Sequence, residues 1–145
     1  MSARAEGLDD VAGLLDGMAR RASDLRPAWR GVAQDMRQRE RDLFDGGGHG
    51  LWPPLASSTV RRKHGQGRIL VETGGLLASL TRRGDRYAVE QATETSLVFG
   101  TSNPVTNLLR RGVRGAPSRD PLPTFQQPER EFWAQELLDH VAGSS

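Results

Sequence analysis

Apolar residues recur at Leu8, Val11, Leu15, Met18 and Ala22, steps of three and four that lay one stripe along a helical face. Ser23 or Asp24 is placed to cap a second helix, with Pro27 in its first turn, where a missing N–H costs little. That helix carries Trp29, Val32, Ala33, Met36 and Leu43 on one side. Arg30, Asp35, Arg37, Arg39 and Arg41 fall mostly on the other. The pattern predicts two opening helices, or one long bent helix, stopped by Gly46, Gly47 and Gly48, which are poor helix formers.

Residues 45–68 read as a long loop, with Pro53 and Pro54 opposing regular structure. Trp52 and Leu55 are large apolar groups in that loop, expected to pin it to the core or to a neighbour. Ile69–Val71 reads as a short strand or extended segment, and Thr73 as the cap of a helical turn with Leu76, Leu77 and Leu80 facing inward. Alternation around Tyr87, Val89 and Gln91 and the apolar run in Thr95–Gly100 give two strands, and Ser79–Arg83 is a candidate third. The product expected is an antiparallel hairpin or a three-stranded sheet.

Turn residues then dominate up to Gln127, a stretch that reads as an arm or lid. Pro128 opens a last helix with Phe132, Trp133, Leu137 and Val141 as its stripe. Glu129 and Glu131 stand near its positive end, and Gly143 follows its last turn. The fold class expected is α+β: N-terminal helices, a small antiparallel sheet with a short helix, a C-terminal helix and long loops. The length of 145 residues favours one domain over 1–145. Its segments are helical at 1–45, loop at 46–68, sheet with short helix at 69–101, arm at 102–127 and helix at 128–143.

Charge adds an asymmetry to this outline. Residues 60–116 hold ten Lys or Arg and four Asp or Glu, a net of +6, so the rest sums to −4 against a total of +2. A positive middle between acidic ends suits a polyanion or an acidic partner surface, or simply a solvated face. Cysteine is absent, which removes disulfides and thiolate metal sites. No apolar run approaches the roughly 20 residues a bilayer requires. The opening MSARAEGLDD lacks the basic-then-apolar pattern of a signal peptide, so a protein not exported by itself is expected.

Candidate chemistry is sparse. His49, His64 and His140 have no second His or Cys at zinc spacing. Asp9 with Asp10, and Asp42 with Asp45, sit near helix ends, where nothing in the sequence predicts the burial that acid–base work requires. There is no G-x-S-x-G elbow and no phosphate-binding loop with its lysine. The expectation is a non-enzyme with no catalytic residue, no metal and no cofactor. Arg61, Arg62, Lys63, His64 and Arg68 form a basic segment able to neutralise phosphates, with little aromatic interleaving for base stacking.

Three blocks carry a resemblance. Phe44 precedes a glycine-rich run to Gly50, then LWPPL, Thr59, Arg62 and Lys63. Leu70, Thr73, Gly74, Leu76 and Ser79 form a Leu-x-x-Thr-Gly-x-Leu-x-x-Ser block, and Phe99, Gly100 and Thr101 end a strand. Together, over about residues 40–135, they resemble the phage virion morphogenesis or tail-completion family, which includes Mu-type and other neck proteins. The family usually continues with Tyr-Ala, then His-Gln and a Gly, where this chain has Val105, Thr106, Leu109, Arg110 and Gly112. Its Pro-Ala-Arg-Pro-Phe appears here as Pro121, Leu122, Pro123, Thr124 and Phe125.

The resemblance implies a structural subunit of the head–tail connector, in a homo-oligomeric ring at the head–tail junction or the top of the tail, assembled in the host cytoplasm. Partners implied are further copies of itself, adjacent neck or tail-tube proteins and genomic DNA in the lumen, without a membrane. A tail terminator ring subunit, or a non-viral basic nucleic-acid-binding accessory protein, are the alternatives. The candidate contact residues are Trp52, Leu55, Arg61, Arg62, Lys63, Arg110, Arg111, Arg114 and Phe125.

Overall fold

A computed structural model of the chain describes residues 2–65, 67–113, 115–122 and 125–144, with 2–6 as backbone only. The architecture is α+β. In order it runs α1 (Ser2–Ala22), α2 (Arg26–Asp45), α3 (Ser57–Arg62), α4 (Gly75–Thr81), β1 (Ala88–Ala92), β2 (Leu97–Thr101), α5 (Val105–Arg111) and α6 (Gln127–Ala142). The strands form one two-stranded antiparallel hairpin. Contacts group the chain into two compact units: 1–32 with 92–97 and 125–145, and 33–91 with 98–124.

In the first unit α1 packs on α6. The two opening helices are separate, divided at Ser23–Leu25, where the Asp24 carboxylate accepts the Arg26 backbone N–H and pairs with the Arg26 guanidinium. Those bonds hold the Asp24 carboxyl down at about 2. Arg21 Nε donates to the Val141 carbonyl at 2.8 Å, and His140 Nε2 lies 2.9 Å from the Asp24 carbonyl and 3.1 Å from that of Arg21. Carbonyls only accept, so this nitrogen carries the proton. The hairpin tip meets the start of α2: Trp29 Nε1 donates to the Thr93 carbonyl and the Leu25 N–H to that of Glu94. Phe125 stacks edge-on against Trp133, with ring centroids 4.6 Å apart.

The second unit holds the core of Leu43, Phe44, Trp52, Leu76 and Leu80, with Ile69, Leu70, Val71, Leu77, Leu109 and Leu122 packed against it. α2 stops as the glycines require. The Gly48 N–H returns to the Leu43 carbonyl and the Gly47 N–H to that of Phe44, the paired bonds of a Schellman end. Gly48, at φ 89°, also lies under the indole: a Cβ there would sit 2.4 Å from the Trp52 ring. The loop after α2 therefore turns so that Trp52 can lie on Phe44, with centroids 5.1 Å apart and planes at 79°.

Several expectations are corrected here. The 46–68 loop contains α3, and the 102–127 arm contains α5. Ser79–Arg83 is no strand, because Leu76 and Leu80 bury one face of α4 while the Ser79 and Thr81 hydroxyls bond back to the Leu76 and Leu77 carbonyls. Ile69–Val71 is a turn rather than a strand, with Leu70 at φ 60°. Thr73 does not cap α4; Gly74 does, in the left-handed conformation at φ 81°. The strands lie one residue later than their apolar runs suggest at β1, and begin two later at β2.

Candidate interaction surface

Residues 115–122 form a strap stapled to the Trp-Pro-Pro segment. Trp52 Nε1 donates to the Asp120 carbonyl at 2.8 Å. Arg119, only 8% exposed, donates from Nε to the Pro53 carbonyl at 2.8 Å and from Nη2 to the Pro54 carbonyl at 2.7 Å. These carbonyls lie in a segment without regular structure, and the buried guanidinium supplies a donor to each. Asp120 accepts the Leu122 N–H on one oxygen and Arg110 Nε on the other. Nothing in the one-dimensional pattern marks Arg119, since its partners lie more than sixty residues away. Replacing Arg119 with Met should cost about 1 kcal/mol, from two hydrogen bonds lost at part-buried carbonyls that water can partly reach. Urea unfolding measures that loss, and faster amide exchange at Arg119 and Leu122 reports the loosened strap.

Beside the strap a groove of about 280 Å³ opens between α3, the start of α4 and α5. Leu55, Leu70, Leu76 and Leu109 line it, with Thr59 from α3, Lys63 just past its end and Val105 from α5. Glu72 stands at its edge, paired with Arg62 and, at 3.1 Å, with Lys63. Those cations hold the Glu72 carboxyl down at about 2.

The structure separates the sequence candidates. Trp52 is buried in the chain's own core, and Phe125 packs on Trp133, so both anchors are spent inside the protein. Leu55 is half-buried in the groove wall. Lys63 folds inward, with Nζ donating to the Arg68 and Val71 carbonyls, while Arg62 pairs with Glu72. Arg110 pairs with Asp120 at 3.2 Å, and Arg61 and Arg111 are exposed. Arg114 lies outside the described residues. The basic segment is thus partly neutralised by its own chain.

One chemically unusual group escaped the sequence reading. Glu40 is 2% exposed, and its Oε2 has no hydrogen-bond partner among the described residues. Burial, with the negative charge of Asp120 nearby, pushes its carboxyl up to about 8. The signal was weak: Glu40 lies seven residues after Ala33 and four before Phe44, on the buried side of α2. Of the carboxylates weighed for chemistry, Asp42 accepts from Gln38 and Asp45 pairs with Arg68. Among the described residues no three His, Asp or Glu side chains come together as a metal site, and no helix is long and apolar enough to cross a membrane. Comparison with family models, with curated proteins and with solved structures returns no match.

Proposed function

We propose that this chain is a structural subunit of a phage head–tail connector, a neck or tail-completion protein that works as one member of a ring. The observation that supports this reading is the meeting of the three sequence blocks in one packed unit. Trp52 of the first shares a core with Leu76 of the second, and the Ser79 hydroxyl of the second lies 2.7 Å from the Thr101 hydroxyl of the third. The proposed role is architectural and needs neither cofactor nor metal. Its partners are copies of itself and the adjoining neck or tail-tube proteins, with DNA passing through the lumen of the assembled virion.

The reading as a nucleic-acid-binding accessory protein loses support from Lys63 and Arg62, which are held by Glu72 and by backbone carbonyls. A stop codon early in the gene, placed in its phage, should leave filled heads and separate tails in the lysate. Antibody against the chain should label the head–tail junction of complete particles. Infectious, joined particles made without the protein would refute the proposal. Tight DNA binding by the purified protein, falling steeply with salt, would favour the accessory reading instead.

A further inference from the structure

We propose that the turn at residues 82–86 binds the phosphate backbone of double-stranded nucleic acid. The contact is a property of the single chain and does not rest on the ring reading.

The turn joins α4 to β1. The Asp85 N–H closes it on the Arg82 carbonyl at 3.3 Å, with Gly84 at φ 80°. Arg82, Arg83 and Arg86 are all exposed on it. Three arginines against one aspartate give these five residues a net charge of +2. The carboxylates nearby are engaged elsewhere. Asp85 Oδ1 accepts the Tyr87 N–H at 3.0 Å, and Glu90 is paired with Arg37 and meets Arg83 only at 3.9 Å. Arg62 and Arg110, by contrast, lie against carboxylates of their own chain. The Arg86 guanidinium sits 4.4 Å from the centroid of the Tyr87 ring. Held over that ring it is ordered before any ligand arrives, and its N–H groups stay free to meet phosphate oxygens.

The surroundings of the turn select the partner. Among the described residues no large apolar side chain between Val60 and Val98 is exposed. A protein interface centres on apolar and aromatic side chains, so an acidic protein would find no core to bury here. Bases of a single strand stack on aromatic faces, and Arg86 occupies a face of Tyr87. Duplex phosphates need only cations within reach, and three guanidiniums on one turn supply them. Such a contact reads charge and no sequence.

The test is fluorescence anisotropy of the full chain with short DNA and RNA duplexes of arbitrary sequence. Binding at low salt should be micromolar or weaker, and log K should fall against log salt with a slope of about −2 to −3, the value for three phosphates. Arg82→Gln/Arg83→Gln/Arg86→Gln should bind about tenfold more weakly or worse, with little change in melting temperature. Arg61→Gln/Arg111→Gln/Arg130→Gln removes the same charge from other exposed arginines and should bind as the wild type does. If the first variant fails to fold, Arg83→Gln alone should still lower the slope by about one. The duplex bound more tightly, DNA or RNA, identifies the natural source of the phosphates. Unchanged binding by the first variant, or an equal loss in the two triple variants, overturns the contact. So does tighter binding of a single strand, or competition by poly-glutamate as strong as that by the duplex, which would mark a site for an acidic protein. Nanomolar binding with a slope steeper than about −5 needs more phosphates than this turn can meet and overturns it in favour of the accessory reading. The joining of heads to tails tests the ring separately, whichever result is found.

Discussion

Replacing Trp52 with alanine is expected to lower the unfolding free energy by about 3–5 kcal/mol, the range for removing a large buried aromatic side chain. The indole is 4% exposed, stacks edge-on against Phe44 and donates to the Asp120 carbonyl. Its loss opens a cavity and orphans an acceptor on the strap. Trp52→Phe keeps most of the apolar contact and loses the donor, so it should cost about 1 kcal/mol. Denaturant unfolding followed by circular dichroism of the single chain measures both. If Trp52→Ala left the unfolding midpoint where it was while disrupting assembly, the indole would be an anchor for a neighbour rather than part of this core.

Replacing Glu40 with glutamine is expected to flatten the pH dependence of stability. The folded chain holds the Glu40 proton up to about pH 8, whereas an unfolded chain releases it near the ordinary value of 4.5. At pH below 4.5 both states are protonated and the group adds no penalty. As pH rises from there towards 8 the unfolded state gains a hydrated carboxylate that the folded state cannot match, and stability falls. Above 8 the loss is complete. Glu40→Gln keeps the shape and cannot ionise, so it should match the wild type near pH 4 and exceed it at pH 8 by a few kcal/mol. Melting temperatures across pH 4–9 decide this. A wild-type profile with no decline over that window would place the carboxylate in contact with water or a cation.

Both predictions concern one body, and they redirect the question of assembly. The Trp-Pro-Pro segment and the strap at 115–122 attract attention in the sequence because their glycines and prolines oppose regular structure. In the folded chain they satisfy one another through Arg119, Trp52 and Asp120. Segments so occupied cannot also be free arms awaiting a neighbour. Apolar side chains that remain exposed among the described residues include Leu8, Val11, Leu14 and Leu15 of α1 and Val105 and Leu108 of α5.

Periodicity with proline and glycine end signals marked the helical stretches of α1, α2 and α6, leaving open whether the first two were one bent helix, and the glycine run after Asp45 marked the end of α2 where the Schellman bonds now close it. It also defined the hairpin to within two residues, because each of these elements records its own local demand for one buried face or one turn. The short helices α3 and α5 were illegible. At six and seven residues they are too brief to show a period, and tertiary packing, not propensity, sustains helices of that length. The same limit explains the site residues. Whether Trp52 faces a core or a neighbour, whether Lys63 reaches outward or bonds to Val71, and whether Glu40 is solvated are decided by groups distant in sequence. The order of residues determined which segments could bury a face; only the folded chain determined which faces found a partner within it and which stayed exposed, because burial is a property of pairs.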